Sequence, residues 1–100
     1  MKIAVGLGNI GLVYNSQGNY EEALKKYSEC LEIKQRIKGK DAIDCATTLN
    51  NIGQVYDSQG NYEEALKKYS ECLEIQQRIK GKDAIDCATT LNNIGLVYDL

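Results

Sequence analysis

The sequence predicts an all-α solenoid, with antiparallel helix pairs stacked side by side and five helices in all. Two observations carry that prediction: near-verbatim internal repetition, and apolar residues at helical spacing within each copy. Asn9-Ile10-Gly11-Leu12-Val13-Tyr14 returns as Asn51-Ile52-Gly53-Gln54-Val55-Tyr56, then as Asn93-Ile94-Gly95-Leu96-Val97-Tyr98. Gln17 through Leu31 is copied unchanged as Gln59 through Leu73. The offset of about 42 residues falls in the range of helical-repeat proteins. It divides the chain into 1–40 (a unit with a degenerate first helix), 41–82 (a full unit) and 83–100 (the first helix of a third). The copies differ at few places, among them Leu12/Gln54/Leu96, Asn15/Asp57/Asp99, Ser16/Ser58/Leu100 and Lys34/Gln76. Copies this alike imply recent duplication or deliberate consensus design, and a consensus fragment needs no specific ligand.

The opening helix carries Gly6 and Gly8 where the next unit has Thr48 and Asn50, and interior glycines weaken it. Gly6-Leu7-Gly8 resembles a phosphate loop only superficially, lacking a preceding strand and a Lys-Ser/Thr end. The second helix of the unit follows as a copy of its successor, so the middle unit serves for both.

Its first helix spans about Ala42 to Ser58 by helical periodicity. Cys45, Leu49, Ile52 and Tyr56 share one side, flanked by Ala46 and Gly53, and the opposite side is rich in amides. Gly60 supplies the left-handed residue that ends it. The second helix opens at Asn61 with Glu64 at capping-box spacing. Its expected buried stripe is Tyr62, Ala65, Leu66, Tyr69, Cys72, Leu73 and Ile79. Glu63–Lys67, Glu64–Lys68 and Glu74–Arg78 are spaced to pair on a solvated outer face. Gly81 closes this helix, and Asp83 with Asp86 opens the fifth. Gly11, Gly53 and Gly95 sit mid-helix, where a close neighbour is expected; Ala23 and Ala65 are the natural opposing positions.

Composition excludes several classes. The net charge is −2 with acids and bases interleaved, so no basic face for nucleic acid is present. No apolar run is long enough for a membrane span, and no signal-like segment opens the chain, so a cytoplasmic location is expected. Cys30, Cys45, Cys72 and Cys87 form no Cys-x-x-Cys pair, and with no His there is no metal site to build. They fall on apolar stripes and are expected to pack as small buried thiols, a redox role being the alternative. Without His, no Ser or Cys has an activating base, so neither catalysis nor a cofactor is implied.

Leu49, Ile52, Gly53, Tyr56, Gly60, Tyr62, Ala65, Tyr69 and Leu73 stand at the spacings of the tetratricopeptide repeat, which the chain resembles over essentially its whole length. The longer period, with Gly81-Lys82-Asp83 before the next unit, is similar to the repeats of kinesin light chains. The chain departs from the signature in having Leu49 for its usual Trp, Cys72 for its second small residue and no closing Pro near Gln77. Ala84-Ile85 also stands where the kinesin-type linker has His-Pro. The resemblance implies a right-handed superhelical solenoid whose first helices line a concave wall that binds an extended peptide. Asn9, Asn51 and Asn93 match the asparagines that grip peptide backbone in that family, with Asn50 and Asn92 beside them and Gln54 and Asp57 on the same face. Lys and Arg are missing from the inner positions that clamp acidic tails in some members, so a strongly acidic tail is not expected.

The function so predicted is a non-catalytic scaffold for a protein or peptide ligand. The alternative is a structural array that associates head to tail, because first-type helices stand at both ends. Ile3, Leu7 and Ile10 at one end, and Ala88, Gly95, Leu96 and Leu100 at the other, are the residues expected to mediate it.

Overall fold

The computed structural model describes the backbone of residues 2–98 and the side chains of 6–98. Five helices follow in order: α1 (Lys2–Ser16), α2 (Tyr20–Lys38), α3 (Ile43–Gln59), α4 (Tyr62–Lys80) and α5 (Ile85–Tyr98). No strand occurs among the described residues. Each helix packs on the next, α1 also touches α3, and the whole measures 34 × 31 × 18 Å. This is the slab expected of stacked helical hairpins.

Two kinds of turn produce the stacking. Within a hairpin the chain reverses at Gly18 and Gly60, with φ of 77° and 82°. Asn61 then donates its backbone N–H to the Tyr56 carbonyl at 2.8 Å, and Asn19 donates to Tyr14 at 2.9 Å, satisfying the last carbonyls of the preceding helix. Between hairpins, Gly39 and Gly81 pair a positive φ with an extended ψ of 156°, a region open essentially to glycine. The Cys45 and Cys87 thiols each donate to the carbonyl of that glycine at 3.4 Å, tying the linker to the helix it feeds.

The core is divided by helix pair. Ala46 and Leu49 of α3 cluster with Cys72 and Ile75 of α4, while Ile52 and Val55 of the same helix cluster with Ala23 and Tyr27 of α2. Helix α3 is thus covered on two sides. That explains why Thr48 and Val55 are fully buried although they lie off the single stripe read from periodicity. Val97 repeats the arrangement in α5, packing on Ala65 and Tyr69.

Several expectations need correction. The nearest neighbour of Gly53 is a ring: a Cβ there would lie 2.7 Å from the Tyr69 ring, and at Gly11 one would lie 2.9 Å from Tyr27. Gly95 faces open space. Tyr62 and Ile79 are exposed, since both lie in the end turns of α4 where one side meets solvent. Asn61 makes no side-chain cap, and the first turn of α4 starts from its backbone carbonyl. On the outer face, Glu74–Arg78 forms at 3.1 Å, but Lys67 turns back to Glu64 and Lys68 reaches forward to Glu71. Exposed pairs like these exchange partners at little cost.

Candidate functional site: two grooves along the first helices

The regular stacking leaves one groove per pair of first helices. The first, about 280 Å³, lies between α1, α2 and α3 and is lined by Gly8, Asn9, Leu12, Lys34, Thr48 and Asn51, with Tyr27 and Cys30 behind. The second, about 210 Å³, lies between α3, α4 and α5 and includes Asn50, Thr47, Gln76, Lys80, Asp86 and Thr90.

A buried hydroxyl anchors each floor. In the first groove Lys34 Nζ donates to Thr48 Oγ1 at 2.9 Å and to the Asp44 carbonyl at 3.2 Å, and Cys30 Sγ lies 3.7 Å from the same hydroxyl. In the second, Thr90 Oγ1 donates to Gln76 Oε1 at 2.7 Å, with Cys72 Sγ at 3.7 Å. The floors therefore differ in charge: an ammonium on one, an amide on the other. Lys80 lines the second groove too, but Asp86 holds it in an ion pair at 2.6 Å.

The sequence-predicted asparagines divide between the grooves. Asn9 and Asn51 line the first. Asn50 lines the second, and Asn93 Nδ2 donates to its Oδ1 at 3.0 Å, bridging α3 and α5. That bond occupies one donor and one acceptor of the pair. Asn92 and Gln54 are exposed and line neither groove, and Asp57 is half-buried near Tyr69. Of the residues expected at the ends, Leu7 is half-buried, and Ile10, Ala88, Gly95 and Leu96 are exposed. Leu100 and the Ile3 side chain lie outside the described residues.

Lys34, Thr48, Gln76 and Thr90 were not anticipated as groove residues. Lys34 in particular places a cation on the inner face, where no basic residue was expected. The signal was present in the Lys34/Gln76 difference, one of the few between otherwise identical helices.

The cysteines offer little chemistry. No disulfide joins the four, and all are buried. Burial pushes the Cys72 thiol up, and burial does the same to Cys45 against the pull of Lys34. Thiols so raised are poor nucleophiles and poor metal ligands at neutral pH. Among the described residues no cluster of three or more His, Cys, Asp or Glu could hold a metal. No described helix is long and apolar enough to cross a membrane.

The sequence matches the family model described as "Tetratricopeptide repeat" over residues 2–76 and 58–100. No curated protein matches. Among solved structures, BtubC (BKLC) from P. vanneervenii superposes with a TM-score of 0.86 at 25% sequence identity, covering 96% of this chain. The chain spans 38% of BtubC, well under half its length.

Proposed function

This chain belongs to the tetratricopeptide repeat family, and on that premise we propose that it is a non-catalytic scaffold that binds an extended peptide along α1, α3 and α5. Repeats of this family generally mediate protein–protein interaction. The observation that carries the finer reading is the open first groove. Asn9 and Asn51 stand on its walls above Lys34 and Thr48. A carboxamide donates and accepts at once, so two of them can pair with a peptide main chain whatever its side chains. Lys34 adds one fixed positive charge, which favours a peptide that sets a carbonyl or a single carboxylate over it. The buried, unbridged cysteines suit a reducing compartment, and the cytoplasm is the setting we assign.

A peptide library panned against the intact chain tests this. Asn51→Ala should weaken the selected binders by about tenfold, the loss of one or two hydrogen bonds, while Asn92→Ala leaves them unchanged. An empty selection, or equal binding by the wild type and Asn51→Ala, defeats the reading.

A further inference from the structure

The face that carries the asparagines also carries exposed apolar side chains. Three residues beyond Asn9, Asn51 and Asn93, about one helical turn further on the same face, stand Leu12, Gln54 and Leu96. Leu12 is 57% exposed and Leu96 56%. Gln54 is exposed as well, although α3 touches α1 on one side and is bonded to α5 on the other through Asn50 and Asn93. Exposure therefore belongs to this position in the repeat and not to the ends of the chain. Two leucines are left in water where the copy between them has an amide.

The grooves that separate these residues differ in charge. In the first, Lys34 Nζ gives two of its three N–H groups to Thr48 Oγ1 and the Asp44 carbonyl, which leaves one for a ligand. The second is neutral: Gln76 holds Thr90, and Asp86 neutralises Lys80. From α1 to α5 the wall thus runs apolar, cationic, amide, neutral, apolar.

An extended peptide translates that order into a sequence. Packed helices stand about 8–10 Å apart, so Leu12 and Leu96 are separated by roughly 16–20 Å, two such steps. A strand rises about 3.3 Å per residue, so that span takes about five or six residues, and alternation of side chains selects six. In this register the residue two places on from the Leu12 contact faces the first groove, and the next on that side faces the second. At the midpoint a side chain points away and main chain faces the wall, where the Gln54 carboxamide can pair with it.

We propose, resting on the peptide-binding reading above, that the ligand is an extended peptide with two aliphatic side chains about six residues apart and one acidic side chain between them. The acid lies two places from the aliphatic residue that seats on Leu12, and the other aliphatic residue seats on Leu96. The leucines supply apolar contact, Lys34 selects the charge, and the second groove, its amides bonded to each other, takes a neutral residue.

A random peptide library panned against the full chain, with the binders sequenced, tests it. Binders that depend on Asn51 should share the two aliphatic positions and the acid. Leu12→Gln and Leu96→Gln give α1 and α5 the residue that α3 already carries, so circular dichroism and melting should be unchanged. Each should weaken the binders about tenfold, the effect of one leucine-sized contact. Replacing one aliphatic residue of the peptide with Gln should cost as much against the wild type, and little more against the variant that already lacks its partner. Exchanging the acid for its amide should couple to Lys34→Gln in the same way. Binders that need Asn51 but lack the pattern, or that bind the wild type and both leucine variants equally, overturn this proposal and leave peptide binding standing. An empty selection overturns both.

Discussion

The groove between α1, α2 and α3 and the groove between α3, α4 and α5 share the repeat-equivalent positions Gly8/Asn50, Lys34/Gln76 and Thr48/Thr90, yet they present different surfaces. Where the second has Asn50 bonded to Asn93, the first has Gly8 opposite Asn51, so no amide bridge spans it. Where the second floor is Gln76 under Thr90, the first is Lys34 under Thr48. Backbone and core are nearly unchanged between them. Two side-chain differences turn a self-satisfied groove into an open, cationic one. A solenoid uncouples fold from recognition in this way: stripe residues fix the stacking, and groove residues are left to vary.

The largest expected effect comes from attacking what the grooves share. Helix α3 is a wall of both, and its seat on α4 depends on the Gly53–Tyr69 contact. Gly53→Leu should cost about 3 kcal/mol or more, because a rigid, fully buried ring stands where even a Cβ would go. Urea unfolding followed by circular dichroism measures it. Gly95→Leu, the same substitution in open space, should cost nothing measurable. Similar losses in the two variants would show that the Tyr69 ring does not set the requirement for glycine, since helix propensity favours leucine at both positions.

Those glycines also show what could be read without coordinates. Repetition at a fixed offset gave the helix pairs, their turns and the Gly60 cap, because these depend on local chemistry repeated in every copy. Periodicity located one face of α3 and missed Thr48 and Val55, since a helix sandwiched between two others buries a second face that no single stripe reveals. The need for a close neighbour at Gly53 was legible; that a tyrosine ring supplies it was not, because the choice between Ala65 and Tyr69 depends on the depth at which α4 sits. For the site, an asparagine ladder was legible as a pattern. Its division into a bridged pair and an open pair was not, since it turns on Gly8 being too small to reach Asn51.

Gly8→Asn tests that division. A Cβ at this position meets only Cys30 Sγ, at an ordinary 3.9 Å, so the side chain has room. It should bridge to Asn51 as Asn50 does to Asn93. The gain should be about 1 kcal/mol in stability, from one hydrogen bond and from removing a helical glycine. Peptides selected on the first groove should lose affinity at the same time. If stability rises and binding is untouched, the open amide of Asn51 is not what the ligand uses.

A smaller effect is expected from Lys34→Gln, which gives the first floor the chemistry of the second. Gln76 already satisfies Thr90 from this position, so the fold should change by less than about 1 kcal/mol. The change should instead appear in the salt dependence of peptide binding, which a fixed cation produces and an amide does not. Titrations at low and high ionic strength read it directly. Equal salt dependence in both proteins would remove Lys34 from the recognition surface.

The smallest effect at neutral pH, and the most discriminating at high pH, concerns the ring in each half. Burial pushes the Tyr69 hydroxyl up to about 12, with the nearby Asp57 carboxylate adding to it. Burial raises Tyr27 also, but its half has Asn15 where the other has Asp57, so the carboxylate's share is missing. A phenol whose folded pKa lies above its unfolded value of 10.0 favours the folded state fully below pH 10. The benefit disappears as the pH rises from there through about 12, because the unfolded chain ionises first. Tyr69→Phe removes this dependence while keeping the ring that Gly53 requires. Urea midpoints at pH 8 and pH 11 should therefore converge more in Tyr69→Phe than in Tyr27→Phe, with Asp57→Asn recovering part of the difference. The buried thiols of Cys45 and Cys72 titrate in the same direction and remain in all three variants, so they cancel from the comparison. Equal convergence in the two tyrosine variants would mean that burial alone sets these pKa values and that the exchange of Asn15 for Asp57 between repeats has no electrostatic consequence.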